Sequence, residues 1–150
     1  MESSAPTRVL VVANKTAATP GLIAAVRERA ARGPAEFTLV VPNPTPGLHR
    51  VVDPEDVDQS DGEHVLELAI PLLEEAAGGK VEGLIGDPAP LTAIEDAVNL
   101  HGFDEIIIST LPTRVSRWLK LDLPSKAKGL GLPVTTITAQ GREAEAPVSS

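Results

Sequence analysis

The chain has 150 residues, 42% of them apolar and 23% charged, which suits one domain with its own core and is too apolar for a disordered tail. Aromatic residues make up only 2% (Phe37, Phe103, Trp118), so the core must be aliphatic, and aromatic platforms for stacking nucleic-acid bases are excluded. A net charge of −8 excludes non-specific grip on a phosphate backbone, and the lack of cysteine excludes disulfides, thiol nucleophiles and iron–sulfur clusters.

Residues 1–7 are polar and carry no signal-peptide pattern. The longest apolar run, residues 9–13, falls far short of the roughly 20 residues that span a membrane. A cytoplasmic protein with neither membrane nor nucleic acid as partner is expected. Residues 1–7 and 140–150 are small and polar and are expected to be disordered, leaving one domain over 8–139.

Residues 8–14 (RVLVVAN) form a continuous β-branched run, as in a strand buried on both faces. Thr19-Pro20 offers an N-cap and a first-turn proline, and the helix that follows places Leu22, Ile23, Val26 and Ala30 on one face, ending at Gly33-Pro34. Residues 37–41 (FTLVV) read as the second strand, followed by a proline-rich and then acidic connection to about Gln59. Ser60-Asp61-Gly62-Glu63 matches a capping box for a helix carrying Val65, Leu66, Leu68, Ala69, Leu72 and Leu73; Pro71 should kink that helix, and Gly78-Gly79 should stop it.

Residues 81–85 read as the third strand, and Asp87-Pro88 as the cap of a helix with Leu91, Ile94, Ala97, Val98 and Leu100. His101-Gly102 suits that helix's C-terminus. The fourth strand is expected over 104–110 (DEIIIST), then a short basic helix over 114–121, a turn over 122–124, another short helix, and a last strand over 133–138. Strands alternating with helices imply an α/β, doubly wound, mostly parallel five-stranded sheet with helices on both faces. In such folds ligands bind beyond the carboxyl ends of the strands, here residues 13–16, 41–43, 86–88 and 109–114.

Gly86-Asp87-Pro88-Ala89, then Ile94-x-x-Ala97, then Asp104-x-Ile106-Ile107-Ile108-Ser109-Thr110, resembles the universal stress protein family. In that family a Gly-Asp-Pro-Ala turn opens the third helix, and an Asp-Leu-Ile-Val-x-Gly-Thr strand carries one side of a nucleotide site. The resemblance covers about residues 8–139 and implies the strand order 3-2-1-4-5, a stress-response role, and a homodimer paired through the last strand. It also implies ATP or AMP as the cofactor to test, although the residues themselves define none. ATP-binding members end the first strand with Asp, where this chain has Asn14. They cradle phosphates on Gly-x-x-Gly and a later Gly-Ser or Gly-Thr, where this chain has Ser109, Pro112, Asp122 and Leu123. Glycine serves there because backbone N–H groups must approach the phosphates unhindered.

Charge is divided along the chain. Residues 53–75 hold nine acids and no Lys or Arg, whereas residues 111–130 hold five bases and one acid. Arg114 could clamp a phosphate or carboxylate, with hydroxyls from Ser109, Thr110 and Thr113 beside it. The same bases, spaced as Arg114, Arg117 and Lys120, also read as a solvated helix face with Thr113 its N-cap, and Trp118 among them as core packing or a subunit contact. Strand ends and resemblance together single out Ala13, Asn14, Val41, Gly86, Asp87, Ser109, Thr110, Thr113 and Arg114 as candidate ligand-binding residues.

A phospho-accepting receiver domain would need an acidic pair after the first strand and a lysine after the fifth; Ala13-Asn14-Lys15 and Ala139-Gln140 stand there instead. His49, His64 and His101 have no metal-ligand spacing, and no nucleophile–base constellation marks an enzyme. Two functions follow as expectations: a regulator binding a nucleotide or another small anion, or a ligand-free homodimeric module whose acidic 53–75 and basic 114–128 segments dock a partner.

Overall fold

The computed structural model describes residues 6–13, 17–42, 60–87, 89–110, 117–120 and 122–138. In chain order the elements are β1 (Thr7–Val12), α1 (Pro20–Ala31), β2 (Ala35–Pro42), α2 (Ser60–Ala77), β3 (Val81–Gly86), α3 (Pro90–His101), β4 (Glu105–Thr110), α4 (Arg117–Lys120), α5 (Leu123–Lys128) and β5 (Val134–Thr138). The strands make one five-stranded sheet in the order β3-β2-β1-β4-β5, and every neighbouring pair is parallel. The switch point therefore lies between β1 and β4.

Strand alternation divides the core into two layers. Val9, Val11, Phe37, Leu39, Val81 and Ile107 face α1 and α2. Leu10, Val12, Val40, Ile106 and Ile108 face α3, α4 and α5. Because β1 and β4 are covered on both faces, they carry unbroken aliphatic runs over 9–12 and 106–108, whereas β2 does so only over 39–41, after Glu36 and Thr38. Trp118 is half-buried against the second layer, so core packing accounts for it.

Turn chemistry sets the helix ends. Pro20 opens α1 behind Thr19, which occupies the N-cap position without a side-chain capping bond. Gly78 (φ 76°) and Gly102 (φ 77°) take the left-handed conformation that closes α2 and α3, where an L side chain would be strained. Arg8 ties the amino end of the sheet together. Its backbone N–H donates to Asp104 Oδ2 (2.9 Å), its guanidinium donates to the His101 carbonyl (2.6 Å), and that guanidinium lies 5.3 Å from the centre of the Phe103 ring.

Several expectations are corrected. Thr7, assigned to the tail, is the first residue of β1, which ends at Val12 rather than Asn14. Asp104 precedes β4 because its carboxylate accepts the Arg8 N–H instead of continuing the strand. Of the apolar residues expected on α2, Leu68 and Leu72 are 57% and 40% exposed, since Ala69, Leu73 and Ala76 form the stripe that meets the sheet. Leu100 is 77% exposed because it sits in the last turn of α3, beyond the Ile94–Ala97 stretch that meets the sheet.

Asp87 does not cap α3. Ala89 is the N-cap and Pro90 the first-turn proline, while Asp87 Oδ1 accepts the Ala89 N–H (2.9 Å) in a turn one step earlier. Pro124 belongs to α5 rather than to the turn before it, and the described part of the basic helix is Arg117–Lys120 only. Helix α2 runs through Pro71 and starts at Ser60 itself; the capping box's opening side chains lie outside the described residues.

Candidate functional site

The site builds up row by row from the sheet register. Val40, Val12 and Ile108 are aligned across β2, β1 and β4. One residue further along, Val41, Ala13 and Ser109 form the next row, on the face toward α1 and α2, and Ser109 is its polar member. The row beyond holds Gly86 paired with Pro42, and Thr110 paired with Thr138. Asn14, Thr113 and Arg114 lie outside the described residues.

Ser109 and Thr110 are the site's chemical core among the described residues. They are 1% and 2% exposed, and they are the buried polar side chains at the carboxyl end of a central strand. Both take part in interactions, as buried hydroxyls must. Ala13 donates its N–H to the Val40 carbonyl (3.3 Å), which fixes the end of β1 against β2. Neighbouring strands lie about 4.8 Å apart, so Val41, Ala13 and Ser109 lie side by side, all three buried at the carboxyl end of the sheet.

Gly86 and Asp87 do not join that group. β2 and β1 separate them from β4, a span of roughly 14 Å. Gly86 has a packing role instead: a Cβ there would lie 2.7 Å from the Ala93 Cβ and 3.1 Å from Val40 Cγ2. Glycine lets the first turn of α3 approach the sheet. Gly86→Val is therefore expected to lower stability by about 1–3 kcal/mol in urea unfolding, and an unchanged midpoint would contradict that packing.

The second half of the phosphate cradle does not fit a polyphosphate. Where the family has glycine, Asp122 stands exposed at φ 60°, ψ 40°, and where it has a hydroxyl, Leu123 is buried at 2% exposure in the core. The left-handed backbone that suits glycine thus persists beneath an aspartate, which tolerates it better than most residues. Asp122→Gly should stabilise the protein by up to about 1 kcal/mol by relieving that conformation, read as a higher thermal midpoint; a lower midpoint would contradict the strain.

Among the described residues, surface cavities lie elsewhere, on the α3 side of β3. One of about 450 Å³ opens at the amino ends of the strands among Arg8, Glu36, Thr38, Lys80, Glu82 and His101. The other, about 280 Å³, lies between β3 and α3. Sequence reading missed both, because they exist where α3 leaves the edge of the sheet uncovered; the signal available was the interruption of the apolar runs by Glu36, Lys80 and Glu82. Among the described residues, no group of three or more His, Cys, Asp or Glu side chains could hold a metal ion, and no helix is long and apolar enough to cross a membrane.

A parallel five-stranded sheet in this order, with helices on both faces, is the universal stress protein fold, and solved structures agree. The chain is similar to a universal stress protein from Archaeoglobus fulgidus, with a TM-score of 0.62 and 19% identity, covering 87% of this chain and 93% of that one. It is also similar to a universal stress protein solved in complex with cAMP, with a TM-score of 0.61 and 12% identity, covering 91% of this chain and 100% of that one. No family model matches the sequence, and no curated protein matches it significantly.

Proposed function

We propose that this chain is a regulatory binding protein of universal stress protein type. It takes a small anionic ligand, a nucleotide with a single phosphate, at the carboxyl ends of β1 and β4. The observation that carries the reading is the buried hydroxyl pair Ser109 and Thr110 beside Ala13 at the switch point of the sheet. The similar protein solved with cAMP supports this ligand class. Asp122 and Leu123 argue against a triphosphate, because one repels it and the other offers it no donor. Arg114, outside the described residues, is the sequence's own candidate for the phosphate clamp.

Calorimetric titration with cAMP, AMP and Mg-ATP tests this directly. The reading expects the first two to bind and Arg114→Ala to weaken them at least about tenfold, the weight of one charge-assisted contact. Failure of all three to bind would overturn it.

A second reading, of a homodimer paired through β5, is favoured by the position of that strand at the sheet edge with Thr135 and Thr136 exposed. It expects a two-chain mass in light scattering that falls to one chain in Thr136→Pro. A monomer at high protein concentration would rule the dimer out.

A further inference from the structure

The opposite edge of the sheet carries a separate and independent feature. β3 is the other edge strand, and Ile85 on it is 44% exposed. The Val81 N–H donates to Glu74 Oε2 (3.1 Å), so it points away from β2 toward the outer side. Strand alternation then turns the N–H groups of Gly83 and Ile85 to the same outer side. Beyond Val81, no described side chain covers this edge with a hydrogen bond.

The 280 Å³ cavity opens alongside. Leu84, Ala97 and Leu100 supply its apolar wall, Asp87 and Asp96 supply its charge, and His101 also lines it; among the described residues no Lys or Arg does. Both carboxylates are exposed, and neither has a cation partner among the described residues. An aliphatic chain bearing a terminal cation matches these walls: its stem would cover Leu84 and Leu100 while its head met Asp96 and Asp87. Backbone groups free along the strand and a charged slot beside it are the two elements of strand-addition recognition, in which main-chain bonds give affinity and the slot gives specificity. The net charge of −8 favours a basic over an acidic partner segment.

We infer that the β3 edge and the α3–β3 cavity form a docking site for an extended basic segment of a partner protein. The segment adds as a sixth strand and seats a Lys or Arg between Leu100 and Asp96. The β5 edge, rich in threonine, shows no such acidic slot among the described residues.

The test uses the full chain, isotope-labelled, with two capped peptides: Thr-Val-Lys-Val-Arg-Val-Thr, and the same sequence with Glu at both basic positions. The basic peptide should slow hydrogen exchange at the Gly83 and Ile85 amides and bind about tenfold more tightly than the acidic one. Asp96→Lys, a surface change, should abolish that preference while leaving the thermal midpoint unchanged. Equal binding of the two peptides, no protection at Gly83 and Ile85, or protection at 135–138 instead would each overturn the proposal. Protection of β3 without peptide that grows with protein concentration would overturn it in favour of a second copy of the chain. None of these outcomes decides the nucleotide reading, whose test is binding at Ser109 and Thr110 on β4 beside Ala13 and Val41.

Discussion

Ile108→Ala should lower the free energy of unfolding by about 2–5 kcal/mol, as a large-to-small change in a packed core does. Ile108 is fully buried on β4, flanked in register by Val12 on β1 and Thr136 on β5. It belongs to the layer that includes Leu10, Val12, Ile94 and Leu123. That layer has few aromatic rings to slump into a void, and its side chains are fixed by two strands and α3, so the cavity left behind should persist. For a domain of this size each kcal/mol moves the thermal midpoint by roughly 2–4 °C, so the loss is easily read by calorimetry or urea unfolding. A cost under about 1 kcal/mol would mean that the α3 layer is loosely packed. Ile108 also immediately precedes Ser109 and Thr110, so the variant should weaken ligand binding as well.

Ligand should have an effect of similar size and opposite sign. Bound ligand at a hundred times its dissociation constant stabilises by about 2.7 kcal/mol, a rise of roughly 5–10 °C here. The account expects that rise with millimolar cAMP or AMP, and a smaller one with Mg-ATP because the charge of Asp122 would repel the added phosphates. Ser109→Ala should keep the fold and lose part of the shift, about 1 kcal/mol for one hydrogen bond. A flat response to every nucleotide would remove this class of ligand and leave the protein-interaction reading.

Much of the fold was legible because the residues that define it are punctuated and unambiguous. The runs in β1 and β4 read as fully buried strands since nothing polar interrupts them. Pro20, Gly78 and Gly102 marked helix ends by backbone geometry alone. Strand parity shows which face Val41, Ala13 and Ser109 take, but their alignment in one row needs the register, which the sequence does not record.

Apolar type misled where burial depends on how wide a contact the helix makes. Leu68, Leu72 and Leu100 satisfy helical spacing yet fall outside the contacting stripe. Asp87 was misplaced because two prolines, Pro88 and Pro90, compete for the first helical position, and the cap follows the second. Gly86, one of the candidate ligand residues, also lies where α3 approaches the sheet, a packing contact no local pattern records. The cavity beside β3 depends on where α3 crosses the sheet, which no local pattern records.

The most direct measurement is a backbone amide spectrum of the labelled protein titrated with cAMP. The account requires the largest shifts at Ala13, Val41, Ser109 and Thr110, with little change at Lys80, Glu82 and His101. Shifts gathered at the amino-end cavity, or no shifts at saturating ligand, would contradict a nucleotide site at the carboxyl ends of β1 and β4.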